Sequence, residues 1–195
     1  MKTFSHYFIV FVLLTCPKTM LGQEKINLQP KALKKAIEKT WDLESYELDK
    51  IGKENSSGGQ YFLVSVSRES HDEFKYVYIG RVNSCRSGGC SSSKNSYSSS
   101  HEYFDYFILF DQTGSIELVK VYNYRATHGY QITAKRWLKQ FIGSFDKTNF
   151  RVGKNIDAIS GATISTHAIT RDINKRKTNI SRFLKTDSAP NEISH

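Results

Sequence analysis

Within NLQPKALKKAIEKTWD, apolar residues fall at 33, 36, 37 and 41, the spacing that turns one face of a helix toward a core. Pro30 suits a first helical position, because its missing N–H is one the helix would leave unpaired anyway. The intervening lysines read as the solvated face, with docking on a membrane partner as the functional alternative. The pattern then shortens. YFLVSVS from 61 and EFKYVYIGRV from 73 are dense in aromatic and β-branched residues and read as strands. EYFDYFILF and SIELVKVYNY resume strand character on either side of DQTG, a hairpin signal, so these two segments are expected to pair. ITAKRWLKQFIGSF places Trp137, Leu138, Phe141 and Ile142 on one helical face, with Gly143 able to end that helix. A last helix is expected from about Ser165 through HAITRDINKRK, followed by a polar, frayed tail after Thr178.

Helix, antiparallel strands, then two helices describe an α+β domain, an antiparallel sheet with flanking helices. The division that follows is 1–22 as a signal peptide, 23–59 as an N-terminal helix and leading segment, 60–177 as the main domain and 178–195 as a polar tail. A chain of 195 residues is long enough for one domain with its own core.

Composition changes this picture at the N-terminus. Lys2, the apolar run Tyr7 to Leu14 and the small Gly22 before Gln23 read as a secretory signal, cut after Gly22. The run is far shorter than the roughly 20 residues of a spanning helix. Leu13-Leu14-Thr15-Cys16 loosely resembles a bacterial lipobox, which keeps lipid anchoring at Cys16 as the less favoured alternative. Removal of the signal takes Lys2 and Lys18 and lowers the net charge from +9 to +7. A basic extracytoplasmic domain can meet anionic partners or surfaces. No nucleic-acid partner is expected, since the bases are scattered and accompany no recognition motif.

Export also reframes the cysteines. Cys85 and Cys90, in SCRSGGCSS, remain in the mature chain, and a structural disulfide is the favoured reading in an oxidising compartment. A redox-active dithiol or half a metal site are the alternatives. The serine- and glycine-rich stretch from Ser84 to Glu102 reads as a loop.

The candidate chemistry lies in DAISGATIST, residues 157 to 166. Asp157, Ser160 and Thr163 present oxygen atoms, Gly161 and Ala162 leave the backbone uncovered, and a helix starts just downstream. Such a turn can hold a phosphate on free N–H groups at the positive end of a helix dipole. It can equally be an ordinary helix cap.

Asp157-Ala158-Ile159-Ser160-Gly161-Ala162-Thr163 resembles the flavinylation motif Asp-x-x-(Ser/Thr)-Gly-Ala-(Thr/Ser) of the FMN-binding domain family. The resemblance implies that FMN is attached covalently, through its phosphate, to Thr163. Asp157, Ser160, Gly161 and Ala162 would then form the recognition and phosphate-holding turn. YRATHGYQ, residues 124 to 131, is similar to the family's Glu-Thr-Pro-Gly segment, which borders the flavin: Thr127 and Gly129 match, while Ala126 replaces the glutamate and His128 the proline. WLKQFIG resembles the Phe-x-Gly region between the two motifs. The similarity runs over about residues 60 to 175. It assigns Thr127, His128 and Gly129 to the flavin pocket, with His167 left as plain surface and no metal ligand among these residues.

The same domain occurs in the C subunit of the sodium-translocating NADH:quinone reductase and the G subunit of the Rnf complex. This chain is similar to a small, secreted single-domain member. The implied function is an exported electron-transfer flavoprotein working between membrane-bound or extracytoplasmic redox proteins, closer to a carrier or reductase-associated subunit than to a stand-alone enzyme, with no catalytic residue of its own. FMN would be installed by a separate flavin transferase that uses FAD and Mg2+ and releases AMP. Two alternatives stand beside this reading. One is a flavin-dependent reductase of a small extracellular substrate, and the other is a non-catalytic phosphate- or flavin-binding module.

Overall fold

A computed structural model describes residues 24–53, 59–65, 74–86, 101–143 and 149–187 of the chain. Helix α1 spans Lys31–Trp41 and is followed by five strands, β1 (Glu47–Ile51), β2 (Gln60–Ser65), β3 (Lys75–Arg86), β4 (His101–Phe110) and β5 (Ile116–Tyr124). A short helix α2 (Lys135–Leu138), flanked by single 3-10 turns, precedes the long helix α3 (Thr163–Asp187). The strands form one antiparallel sheet in sequence order, β1-β2-β3-β4-β5. The α+β class, a sheet with flanking helices, is therefore the observed architecture.

Side chains alternate across a strand, and both faces of this sheet are covered. Phe62, Val64, Val77, Ile79, Phe107 and Leu109 meet Leu33, Ala36, Ile37 and Trp41 of α1, the four positions picked out by the helical spacing. Tyr61, Tyr78, Tyr106 and Ile108 face the other way, against Ile169, Ile173 and Ile180 of α3 and against Trp137, Leu138 and Phe141. Strand β4 lies inside the sheet between β3 and β5, and residues 104 to 110 are all buried. That is why it reads as a continuous apolar run from Tyr106 to Phe110 rather than an alternating one, with the buried Asp105 before it paired to Arg81. Gly80 leaves room on the α3 face: a Cβ there would lie 2.1 Å from the Tyr78 hydroxyl.

The β4–β5 hairpin is the expected one. The Asp111 carboxylate accepts from the Thr113 and Ser115 N–H groups, each at 2.8 Å, and Gly114 turns at φ 80. Pro30 caps α1 from just outside, and its carbonyl accepts the Leu33 N–H at 2.8 Å.

Four sequence expectations are corrected. Strand β1 is an addition, since ELDKI is too short and too polar to stand out from the loop around it. The stretch 130–143 is not one helix: a 3-10 turn, the four-residue α2 and a second 3-10 turn follow each other, and Ile142 is 40% exposed. Trp137, Leu138 and Phe141 do share a buried face, so the periodicity held locally while the rod did not continue. Helix α3 begins at Thr163, two residues earlier than expected. It also runs to Asp187 instead of fraying at Thr178, because Ile180 is buried and Phe183 and Leu184 pack on the same cluster, extending the apolar stripe by two turns. The loop expected from Ser84 to Glu102 is strand at both ends, with Ser84 to Arg86 in β3 and His101 and Glu102 in β4. Cys90, the signal segment and the end of the tail lie outside the described residues, and of Cys85 only its backbone, in β3, is described.

Candidate flavin site

The flavinylation-like turn lies between two buried anchors, Ile156 and Ala162, with Asp157, Ala158, Ser160 and Gly161 exposed between them. The α2 region fixes its entry. The Trp137 indole N–H donates to the Asp157 carbonyl at 2.9 Å, and the Asp157 N–H donates to Gln140 Oε1 at 2.8 Å. The exit is a tight turn in which Ala162 N–H donates to the Ile159 carbonyl at 3.1 Å and Gly161 takes φ 78. A side chain is disfavoured at that φ. The space above Gly161 is open, with no atom within 4 Å of where a Cβ would be.

Thr163 is the first residue of α3 and its side chain is exposed. The first backbone bond of the helix runs from Thr166 N–H to the Ala162 carbonyl, at 2.9 Å. The N–H groups of Thr163, Ile164 and Ser165 therefore have no partner among the described residues. Ala162 cannot cap them through its side chain, and the hydroxyls of Ser165 and Thr166 are engaged elsewhere. Ser165 is buried and its Oγ shares a hydrogen bond with Ser84 Oγ at 2.8 Å, while Thr166 Oγ1 donates to the Ala162 carbonyl at 2.8 Å. A helix start with three free donors, a bare glycine and one exposed hydroxyl fits the phosphate end of FMN.

The second motif is brought to the same place. Gly129 is buried, takes φ 90, and packs so closely that a Cβ would stand 2.7 Å from Ser165 Oγ and 3.0 Å from the Tyr124 hydroxyl. Tyr124 donates to the His128 carbonyl at 2.6 Å and lies 3.4 Å from Ser165 Oγ. Desolvation by burial, with the Glu102 charge adding to it against the Ser165 bond, pushes the Tyr124 phenol up, so it stays a neutral donor. The His128 and Thr127 side chains are exposed at this rim, and His167 is exposed on α3.

Several members of this constellation were not picked out from the sequence. Ser84 and Ser165 form the hydroxyl link between β3 and α3. Tyr130, 67% exposed, sets its ring edge-on to Tyr124 at 5.5 Å, and Tyr124 stacks on Phe104 at 5.6 Å, so a ladder of rings reaches the surface beside Gly129. Ile164, 42% exposed, follows Thr163 directly. Glu102 accepts from Thr127 Oγ1 and so supplies, from β4, a carboxylate next to the segment where Ala126 has none. Tyr124 could have been found as the last aromatic of its strand, next to the ATHG turn. Glu102 carried no local signal, since only strand pairing brings it near Thr127.

The whole arrangement thus draws on β3, β4, β5, the ATHG turn and the start of α3. A family model, that of the FMN-binding domain, matches residues 103–176. The match begins in β4, later than the resemblance that could be followed from residue 60, and it takes in both turns described above. Residues 103–176 are therefore similar to the FMN-binding domain family, a similarity that supports FMN as the cofactor. No curated protein matches the chain.

Proposed function

We propose that this protein is an exported electron-transfer flavoprotein whose FMN is held by a phosphoester to Thr163, and that it relays electrons between membrane-bound or extracytoplasmic redox proteins. The single observation that carries the reading is the exposed Thr163 hydroxyl at the first position of α3, behind the open Gly161 turn and beside three unpaired N–H groups. Flavin, when bound, supplies the one- and two-electron redox chemistry.

The chain's own residues bind and orient. The N–H groups of Thr163, Ile164 and Ser165 would hold phosphate oxygens, and the helix dipole favours the negative charge there. Asp157 stands exposed at the head of the turn, where a transferase can read it. Tyr130, Ile164, Thr127 and His128 would border the ring system, with Gly129 and Ser165 keeping the two turns in contact. Thr163 Oγ would attack the FMN phosphorus of FAD within the transferase, where Mg2+ assists. The bond to the AMP phosphate breaks, AMP leaves, and the threonine proton passes to a base of that enzyme. Thereafter Thr163 is an anchor and takes no part in electron transfer. A covalent anchor suits the extracytoplasmic location inferred from the leader segment, where a dissociating cofactor would be diluted away.

Co-expression with a flavin transferase, followed by denaturing gel electrophoresis, tests the reading. Flavin fluorescence should migrate with the wild-type band and be absent from Thr163→Ala. A fluorescent native protein that loses all flavin on denaturation, beside a transferase substrate that is labelled in parallel, would instead favour a module binding FMN reversibly.

A further inference from the structure

The outer edge of β5 lies at the floor of a groove of about 450 Å³, with α1 rising on one side and α2 on the other. Leu118, Val121 and Leu138 supply apolar floor and wall, and Lys35, Lys39, Lys120 and Lys135 line the rim. No acidic side chain lines the groove, and none of these four lysines is ion-paired among the described residues. Among the described residues no strand pairs along this edge. The Gly143 N–H closes on the Ile116 carbonyl at 2.8 Å, at the beginning of the strand, and the stretch from Leu118 to Val121 follows beyond that bond.

From these features we infer that the β5 edge is a docking site for an extended, acidic segment of a partner protein, which adds to the sheet as a sixth strand. An edge strand offers a row of backbone donors and acceptors, and recognition by strand addition takes its affinity from those bonds and its specificity from alternate side chains. Here the alternate side chains would meet apolar floor on one side and lysines on the other. Four uncompensated positive charges around a recessed edge select an acidic segment and steer its approach. Four residues of strand span about 13 Å, so a peptide of four to six residues fills the groove. Strand β5 continues from Val121 to Tyr124, three residues or about 10 Å away. A partner held here would stand within reach of the ring ladder, a consequence that rests on the function proposed above, whereas the binding itself does not.

The test uses the mature chain without flavin, so that its failure and failure of the flavin reading are separate results. The probe is a fluorescein-labelled peptide of alternating glutamate and valine, followed by anisotropy, with amide shifts of the 15N-labelled protein locating the contact. Saturable binding is expected, with shifts at Leu118 to Val121. It should weaken at least tenfold when alternate backbone nitrogens of the peptide are methylated, and at least tenfold in a protein carrying Lys35→Glu, Lys39→Glu, Lys120→Glu and Lys135→Glu. The methylated probe needs no protein variant and so remains decisive if the quadruple variant misfolds. Equal binding of the methylated and unmethylated peptides, shifts confined to another surface, or no saturable binding each overturns the proposal. Binding of phosphatidylglycerol vesicles through the same lysines, with the peptide unbound, would also overturn it and assign the groove to a lipid surface.

Discussion

The middle and the beginning of α3 carry similar chemistry and are built in opposite ways. In the middle, Arg176 and Asp172 form an ion pair at 2.6 Å, with side chains 4% and 16% exposed. Asp172 also accepts from the Tyr106 hydroxyl at 2.6 Å, Tyr61 donates to the Arg176 carbonyl at 3.1 Å, and the guanidinium lies 4.5 Å from the Tyr78 ring. Every strong polar group there has a partner. At the beginning, the N–H groups of Thr163, Ile164 and Ser165 have no partner among the described residues, and Asp157 and Thr163 are exposed. A buried polar group left unpaired costs free energy, so the middle must be complete to fold. The exposed turn has water as a substitute partner, and it can stay open for a ligand at little cost.

Substitutions should separate the two regions by size of effect. Asp172→Ala strands the buried Arg176 and removes the acceptor of Tyr106, and loss of one partner of such a pair costs about 3–5 kcal/mol. Chemical denaturation should register a loss in that range, and a loss below about 1 kcal/mol would mean that the pair is solvated. Gly129→Ala comes next. It forces a left-handed φ on a side chain, worth about 1–2 kcal/mol, and presses its Cβ on Ser165 Oγ. Gly161→Ala has the same kind of φ and open space, so thermal denaturation should show the smaller drop for Gly161→Ala; equal drops would remove the packing role given to Gly129.

The tyrosines give a smaller, pH-dependent effect. Desolvation raises the phenols of Tyr61 and Tyr122, and raises Tyr106 well above its ordinary value, with the Asp172 charge adding to it. In the unfolded chain these groups lose protons near pH 10, while the folded protein retains them. Stability is therefore unaffected below that pH and falls as pH rises above it. Tyr106→Phe should flatten this alkaline slope by no more than about 1.4 kcal/mol per pH unit, measured from denaturant midpoints at pH 9 to 11. An unchanged slope would show that Tyr106 ionises freely. Thr163→Ala is expected to change stability by less than about 0.5 kcal/mol, since no hydrogen bond of the fold uses this exposed side chain among the described residues.

Legibility followed the same division. The α1 face, the β4–β5 hairpin and the strand character of β3 and β4 were readable because burial imposes a period on the sequence. The end of α3 was misread because Ile180, Phe183 and Leu184 stand among polar residues, and only the opposing sheet explains why the helix continues. At the site, the turn at 157–163 was legible from its small residues and its resemblance to a family motif. That Thr163 itself opens the helix was not, since serine and threonine at 160, 163, 165 and 166 all suit a helix start. Ser84 and Glu102 come to the site through pairing and packing far apart in the chain, for which a local pattern gives no sign.

The central claim is that Thr163, among four neighbouring hydroxyls, carries the flavin. Tandem mass spectrometry of the proteolytic peptide containing residues 157–166, from protein co-expressed with a flavin transferase, addresses it directly. The account predicts an FMN phosphoester on Thr163 alone, lost in Thr163→Ala and retained in Thr163→Ser. An adduct on Ser160, Ser165 or Thr166, or an unmodified peptide beside a fully labelled control substrate, would contradict it.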